Sequence, residues 1–381
     1  MLSACSDINV HLGEFFIEGK TFRYSSFMGR LYNFCKGLGF EKGKIMPSRA
    51  FCSDENQGYP VILIAKHFGC FPFNHGRVGG VVSTSRHGPF AEHGQDLVII
   101  HASHVGYDPD HHQFGSYRRL QTEGCLSGPT CGKISGVLDW YLKEFDFSCQ
   151  NIFLERGENG RALVTIDNQL LLEGRSEGLF LHYEKLIELD AAGDYRPIRS
   201  YSTSKSFPAA PSFEERVAAS WPSAGRRAIA CDLMPDLFYF KRDVPNDPES
   251  EGRLEKNILS SMSCVVKAPS PLLMAAQINT QVEFDRTYRS LVQGREFEGK
   301  RLVFISGLNI DISPREGQLF PLTKFVPWAA FVKEKAGSSR VIEQPELFET
   351  LRDIDDHNAD QVDLEAAIGV MAHTEEVVIR T

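Results

Sequence analysis

Alternating apolar and polar stretches along the chain predict a protein of the α/β class. Apolar residues recur at helical spacing from Phe22 to Leu38 and the pattern stops at glycines, so it predicts an amphipathic helix. Short apolar runs predict strands at Tyr59–Lys66, Val78–Ser85 and Asp96–Ser103. A second helical pattern covers Lys133–Phe147. We therefore expect an α/β fold with a central, mainly parallel β-sheet that is flanked by helices.

The pattern changes beyond the second predicted helix. Two apolar runs, Asn151–Glu155 and Ala162–Leu171, predict a hairpin. The stretch Asp194–Lys256 is rich in Pro, Ser, Arg and Asp, which favours an insertion. Apolar runs at Leu272–Ile278 and Arg301–Ile310 then predict strands that complete the sheet.

The last part of the chain is strongly acidic. From Glu343 onwards it contains eleven acidic residues and two basic ones. A helical pattern around Val362–Met371 lies within it. Because a run of like charges favours contact with water, we expect a solvated acidic tail.

Composition and charge exclude two classes of partner. The 381 residues include 41 Lys and Arg against 50 Asp and Glu, and a formal net charge of −9 gives no basic field for nucleic acid. The apolar runs are far shorter than the roughly 20 residues that a membrane span needs, so none is expected. Nine cysteines, an odd number without an export signal, fit a reducing compartment, and we expect a cytoplasmic protein.

Histidine and cysteine positions indicate a metal site in the first third of the chain. Eight of the twelve histidines fall between His67 and His112. His104 follows a buried strand, Cys131 precedes a helix, and Cys52 lies in a loop before the next apolar run. Ligands gather at the carboxyl ends of strands in open α/β sheets, and two thiolates with one imidazole suit zinc. Such a set leaves a fourth position for water or substrate.

Other interpretations of the same residues stay open. Cys52 is also a candidate nucleophile with His104 as its base, in a thiol enzyme without metal. Cys70 or Cys125 can replace one of the cysteines or close a structural site with four ligands. Asp54 is either a neighbour of the metal or a helix cap.

The same residues resemble a known family. Cys52 and Asp54, in the run CSDEN, are similar to the Cys-X-Asp element of β-carbonic anhydrases. Together with FPFNHGRVGG, HASHVGY and the pair Cys131-Gly132, they resemble the limiting-CO2-inducible protein B/C family, a branch of the β-carbonic anhydrases. The resemblance is clearest over residues 45–140. It implies a β-carbonic-anhydrase-like α/β/α fold that forms a homodimer, with Zn²⁺ held by Cys, His and Cys.

The resemblance also implies a reaction. A zinc-bound hydroxide would attack CO2 to give bicarbonate, oriented by an Asp–Arg pair that includes Asp54. The commoner β-enzymes carry that arginine two residues after the aspartate, where this chain has Asn56. Arg118 or Arg119, in the loop between His104 and Cys131, is the first candidate for this arginine, and Arg77 and Arg86 are the next. His87 is the candidate for binding bicarbonate or carrying protons. Three residues are the expected apolar walls of the CO2 pocket: Phe71, Phe73 and Val105.

The expected organisation has four parts. Residues 1–165 form the zinc-site half of the domain, 166–265 an insertion of unknown role, 266–340 the remainder of the α/β core, and 341–381 the acidic tail. Besides a carbonic anhydrase, the sequence is compatible with a catalytically silent protein of the same fold, in which zinc stabilises a binding or assembly module.

Overall fold

A computed structural model describes residues 13–83, 96–118, 127–168, 177–229, 233–244, 251–315, 318, 320–375 and 379. The chain divides into two compact units. The larger unit comprises Glu14–Ile134, Asp247–Asn257 and Ala275–Thr381, and the smaller one Met1–Gly13, Ser135–Asn246 and Ile258–Met274. In the described ranges, no helix has the length and apolar character that crossing a membrane requires.

The strands, in chain order, are β1 (Phe22–Arg23), β2 (Ile45–Ala50), β3 (Phe73–Asn74), β4 (Asp96–Asp108), β5 (Gln113–Phe114), β6 (Ser116–Arg118), β7 (Ser127–Pro129), β8 (Ile152–Arg156), β9 (Ala162–Asp167), β10 (Gly178–Leu181), β11 (Arg199–Ser200), β12 (Ser204–Pro208), β13 (Arg226–Ala228), β14 (Phe238–Lys241), β15 (Leu302–Ile312), β16 (Lys324–Lys333) and β17 (Ser339–Glu343). The α-helices are α1 (Tyr24–Gly37), α2 (Gly58–Phe68), α3 (Gly132–Asn151), α4 (Tyr183–Leu186), α5 (Pro211–Arg216), α6 (Glu251–Leu259), α7 (Met262–Val265), α8 (Pro271–Gln293), α9 (Gln344–Asp353) and α10 (Leu364–Ala372).

A single sheet forms the centre of the larger unit. Its strand order is β1-β16-β15-β4-β2-β3, with β17 paired to β16 and β5 to β4. The core strands β3, β2, β4 and β15 run parallel, while β16 is antiparallel to β15. Parallel strands place their carboxyl ends at one edge of the sheet, which is where ligands bind in open α/β folds.

Helices cover both faces of this sheet. Val98 and Ile100 of β4 belong to a core built with α1, α2 and α9. Leu97 and Ile99 alternate with them and lie in a second core, to which α8 contributes. Because successive strand residues point to opposite faces, a strand that is covered on both faces needs consecutive apolar residues, as residues 97–100 of β4 provide. The predicted α/β class and helix-flanked sheet are confirmed.

The smaller unit contains an antiparallel sheet of strand order β11-β12-β9-β8-β13 and a separate pair, β10 with β14. The predicted hairpin corresponds to β8 and β9, which pair from Ile152 opposite Ile166 to Arg156 opposite Ala162. Most of the stretch predicted to be an insertion lies in this unit, and it has regular β-structure of its own.

Three predicted strands are wrong. The run Tyr59–Lys66 forms α2, in which Pro60 lies in the first turn, where a missing N–H costs nothing, and left-handed Gly69 ends the helix. In Val78–Ser85, positive φ angles at Gly79 and Gly80 make a turn in the described part. Leu272–Ile278 is the start of α8. A short apolar run cannot distinguish a strand from a buried helix.

The prediction of a solvated tail is wrong for its first part. Helix α9 is acidic on its outer side, but Leu347, Phe348 and Leu351 are buried in the same core as α1. The predicted helix further on corresponds to α10, which has no buried residue. Overall charge therefore masked an amphipathic helix that belongs to the core.

Candidate metal centre

The carboxyl ends of neighbouring parallel strands bring the predicted ligands together. Strands β2 and β4 pair up to Ala50 opposite His101, so Cys52 and His104 follow that pair at the same edge of the sheet. Cys131 directly precedes α3 and completes the group. Cys52 was expected before a strand, but it follows β2 and precedes α2, which places it at the favourable end of the sheet.

Cys52, His104 and Cys131 form a buried group that can hold a metal ion. Their ligand atoms all lie within 4.8 Å of one another, and the two Sγ atoms are 3.8 Å apart. Zn–S bonds of about 2.3 Å at a tetrahedral angle separate two sulfurs by about 3.8 Å. The spacing therefore fits zinc without rearrangement of the two cysteines.

The orientation of His104 also fits a metal ligand. Its Nδ1 lies 2.8 Å from Asp311 Oδ2, so Nδ1 carries the ring proton and donates a hydrogen bond to the carboxylate. Its Nε2 is buried and has no hydrogen-bond partner among the described residues. A buried ring nitrogen without a partner is costly unless it binds an ion. Nε2 is therefore the ring nitrogen that is available to bind an ion.

Asp311 is held in place by a buried hydrogen-bond network. Gln57 Nε2 donates to Asp311 Oδ2 at 2.9 Å, and Asn309 Nδ2 donates to Gln57 Oε1 at 2.7 Å. Thr323 Oγ1 lies 3.3 Å from the other carboxylate oxygen. Outer-shell carboxylates of this kind fix the ring orientation and raise the basicity of a histidine ligand.

Sequence reasoning missed Asp311. On β15, Asn309 lies opposite His104 and Asp311 opposite Gly106, in parallel register. Both polar residues lie in the last four positions of β15, a largely apolar strand that pairs with the strand carrying His104. Polar residues at the carboxyl end of such a strand were a signal that the sequence offered.

The sulfur of Cys52 is in an environment that favours the thiolate. The Cys131 thiol and nearby His104, together with the Gly79 N–H at 3.1 Å, lower the pKa of Cys52 to about 3, against the opposing effect of burial. The shared hydrogen bond with Cys52 raises the pKa of Cys131, and burial acts in the same direction. Thiolates are the form in which cysteines bind metal.

Asp54 borders the metal group and also caps the short 3-10 helix that follows. Its Oδ2 lies 3.9 Å from His104 Nε2, and its side chain is 11% exposed. Its Oδ1 accepts the Asn56 N–H at 3.2 Å, as the capping interpretation predicts. Burial raises the pKa of Asp54 to about 6. One carboxylate thus serves a turn and faces the ligands.

The arginine partner of Asp54 is not found in the described residues. No arginine there contacts Asp54, and Arg118 instead donates from Nη2 to the Pro314 carbonyl at 3.1 Å. Arg86, Arg119 and His87 lie outside the described residues, as does Cys125.

Two of the expected pocket walls are exposed. Phe71 is 76% exposed and Phe73 39%, so neither lines a buried CO2 pocket, while Val105 is fully buried. Cys70 is exposed as well and lies outside the metal group. The described residues therefore favour the three predicted ligands over the alternative in which Cys70 replaces one of them.

Comparison with known proteins identifies similar structures. Neither a scan against protein-family models nor a search of curated proteins found a match. Among solved structures, PtLCIB4, a homologue of the limiting CO2-inducible protein LCIB, aligns with a TM-score of 0.49 and 11% identity, over 90% of this chain and 99% of that one. LCIB itself aligns with a TM-score of 0.44 and 15% identity, over 86% and 96%. Both structures are described as the limiting CO2-inducible protein or its homologue, and the sequence motifs of this chain resemble that family.

Proposed function

We propose that this protein is a zinc-dependent carbonic anhydrase that interconverts CO2 and bicarbonate. The observation that carries the proposal is the buried Cys52–His104–Cys131 group, in which a three-residue ligand set lies beside the carboxylate of Asp54. Structural zinc sites close with four protein ligands, whereas catalytic sites use three and leave one position for water or substrate. The motifs around the same residues resemble those of β-type enzymes and supply the choice of substrate.

Cys52 Sγ, Cys131 Sγ and His104 Nε2 would hold the ion. When bound, zinc lowers the pKa of water towards about 7 and so supplies a nucleophile at neutral pH. Two thiolate ligands reduce the effective charge of the ion. Lowering the pKa of the water therefore needs a well-oriented histidine and a dry site in this protein. The network from Asn309 through Gln57 to Asp311 fixes the histidine, and all three ligand residues are buried.

Asp54 would orient the reacting water. Its Oδ2 lies on the Nε2 side of His104, which is the side of the ligand atoms. A carboxylate there accepts a hydrogen bond from the water and directs a lone pair of the oxygen towards CO2. The Asn56 N–H holds the second oxygen, so the carboxylate group has a fixed direction even though no described arginine contacts it.

We also propose that the protein acts as a homodimer in the cytoplasm. The family resemblance supports the dimer. Cys52 and Cys131 are neighbours but are not joined, since their Sγ atoms are 3.8 Å apart. Free neighbouring thiols fit a reducing compartment.

Metal analysis combined with stopped-flow CO2 hydration tests the proposed function. We expect about one zinc per chain in the wild type, as a single three-ligand site requires. Cys52→Ser, His104→Ala and Cys131→Ser should each lose zinc and hydration activity together, because two remaining donors cannot hold the ion against a chelator. Cys35→Ala is the matched control, since Cys35 is equally buried but lies in α1 away from the group. Full zinc retention in any of the three ligand variants would refute the ligand set.

A second candidate function is a silent member of the same fold, in which zinc only stabilises a binding or assembly protein. The observation that favours it is the position of Arg118, one of the two first candidates, which donates to the Pro314 carbonyl and not to Asp54. Wild-type protein with full zinc and no hydration above the buffer rate would decide for this candidate. A protein that binds no zinc but is inactivated by alkylation of Cys52 would instead support a thiol enzyme.

A further inference from the structure

A backbone amide approaches the metal group from the side of Cys52. The Gly79 N–H donates to Cys52 Sγ at 3.1 Å, and both residues are buried. A hydrogen bond to a thiolate is charge-assisted and stabilises the negative charge on sulfur. The position of this single peptide group therefore affects how Cys52 binds a cation.

The turn that presents this amide fits only glycine. Gly79 and Gly80 have φ angles of +74° and +78°, which disfavour any residue with a side chain. A Cβ at Gly79 would lie 2.7 Å from Leu254 Cδ2, and one at Gly80 would lie 2.8 Å from the Ala102 carbonyl oxygen. The backbone is thus packed closely against α6 and β4.

Buried side chains hold three polar groups of the turn. Asn279 Nδ2, on α8, donates to the Gly79 carbonyl at 3.1 Å. His101 Nε2, on β4, lies 2.8 Å from the Gly80 carbonyl and donates to it. Glu283, one turn beyond Asn279 on α8, accepts the Val82 N–H at 2.9 Å through Oε2. The two α8 side chains therefore bind backbone groups at both ends of the turn, the Gly79 carbonyl and the Val82 N–H.

Glu283 is a fully buried carboxylate, and packing alone does not require one. Arg253 Nη2 lies 3.4 Å from its Oε2, and Arg286 Nη1 lies 3.0 Å from its Oε1. Asn257 Nδ2 donates both to Glu283 Oε1 at 2.7 Å and to Asn279 Oδ1 at 2.8 Å, so the two α8 residues act as one unit. A buried charge is costly unless it is paired and hydrogen-bonded, and here it gives the turn one fixed geometry.

We infer that Glu283 and Asn279 are positioning residues for the metal centre: they hold the Gly79–Val82 turn so that the Gly79 amide stays on the sulfur of Cys52. The inference rests on the metal site of the proposed function and not on CO2 turnover. Asn279 Nδ2 also donates to Ser103 Oγ at 2.9 Å, next to His104, so the same helix braces two ligand segments.

Cobalt(II)-loaded protein provides a test that does not depend on activity. Wild type, Glu283→Gln and Asn279→Ser are compared by chelator competition and by the thiolate-to-cobalt charge-transfer band. Loss of the Gly79 hydrogen bond raises the energy of the sulfur lone pairs, so the band should shift to longer wavelength. Cobalt affinity should fall by about 10- to 100-fold, the usual scale for outer-shell losses.

Thr287→Val is the matched control. Thr287 is 2% exposed on the same helix, one turn beyond Glu283, and its Oγ1 has no hydrogen-bond partner among the described residues. We expect its band and cobalt affinity to equal those of the wild type. The inference is overturned if folded Glu283→Gln and Asn279→Ser behave as this control does. A merely structural role would lower the melting temperature without moving the band.

A measurement on the wild type covers the case in which both variants fail to fold. In protein loaded with cadmium-113, a through-bond coupling between the Gly79 amide proton and the metal nucleus supports the inference, and its absence overturns it. Wild-type protein that binds neither metal refutes the metal centre itself. Metal binding with unchanged variants refutes only the role of Glu283 and Asn279.

Discussion

Replacing Asp311 by asparagine tests whether the carboxylate that accepts the hydrogen bond of His104 supports metal binding. The substitution keeps the shape of the side chain but removes its charge. An asparagine oxygen can still accept from His104 Nδ1 and Gln57 Nε2, whose distances to Asp311 Oδ2 are 2.8 and 2.9 Å, while its amide faces Thr323. The fold should therefore persist. The lost charge should weaken zinc binding by about 10- to 100-fold, or about 1.4–2.7 kcal/mol.

Competition with a chromophoric chelator measures this affinity directly, and thermal unfolding of the zinc-free proteins measures the fold separately. Thr323→Val is the control, because it removes only the 3.3 Å contact to the other oxygen and should change zinc affinity by less than the Asp311→Asn substitution. Equal zinc affinity in wild type and Asp311→Asn would show that His104 does not bind the metal through Nε2, and the reasoning about its tautomer would be wrong.

Three further predictions concern turnover, pH and the chain end. Asp54→Asn should keep the fold and zinc, because asparagine still caps the turn. It should lower the rate of CO2 hydration, measured by stopped flow, by about 10- to 100-fold. Equal rates in the wild type and the variant would show that Asp54 is a cap only. Burial lowers the pKa of His75 to about 3, so folding favours its neutral form. The free energy of unfolding is therefore not reduced by His75 above about pH 6.5. At pH 5 the histidine is protonated in the unfolded chain only, which lowers the free energy of unfolding by about 2 kcal/mol. Urea unfolding should show a smaller loss for His75→Gln, and equal losses would contradict the shift. Leu347→Ala should cost about 2–5 kcal/mol in the same assay, because Leu347 is fully buried, whereas a solvated tail would cost nothing.

The long apolar and amphipathic segments were predictable from the sequence. Strands β4 and β15 are buried on both faces, and each begins with four consecutive apolar residues, at 97–100 and 302–305, that identified it. Helices α1 and α3 bury one side and showed helical periodicity. The failures at α2 and at the start of α8 have one cause: each is an apolar helical segment too short or too uniformly apolar for its period to show.

The three residues of the candidate metal group were predictable from the sequence, but the residues that hold them in place were not. Cys52, His104 and Cys131 follow or precede recognisable elements, and the topology of parallel strands brings such positions together. Asp311 lies 207 residues from His104 in sequence, and Glu283 lies on a helix whose start was mistaken for a strand. Outer-shell contacts depend on strand register and helix packing, which a single sequence does not encode as a local pattern.

The rate of CO2 hydration, measured while zinc is added back to metal-free protein, tests the central claim most directly. The Cys52–His104–Cys131 centre predicts a rate that rises in proportion to bound zinc and levels off at about one equivalent per chain. His104→Ala, treated in the same way, should show no rise. A wild-type rate that stays at the buffer value when zinc is fully bound would contradict the account.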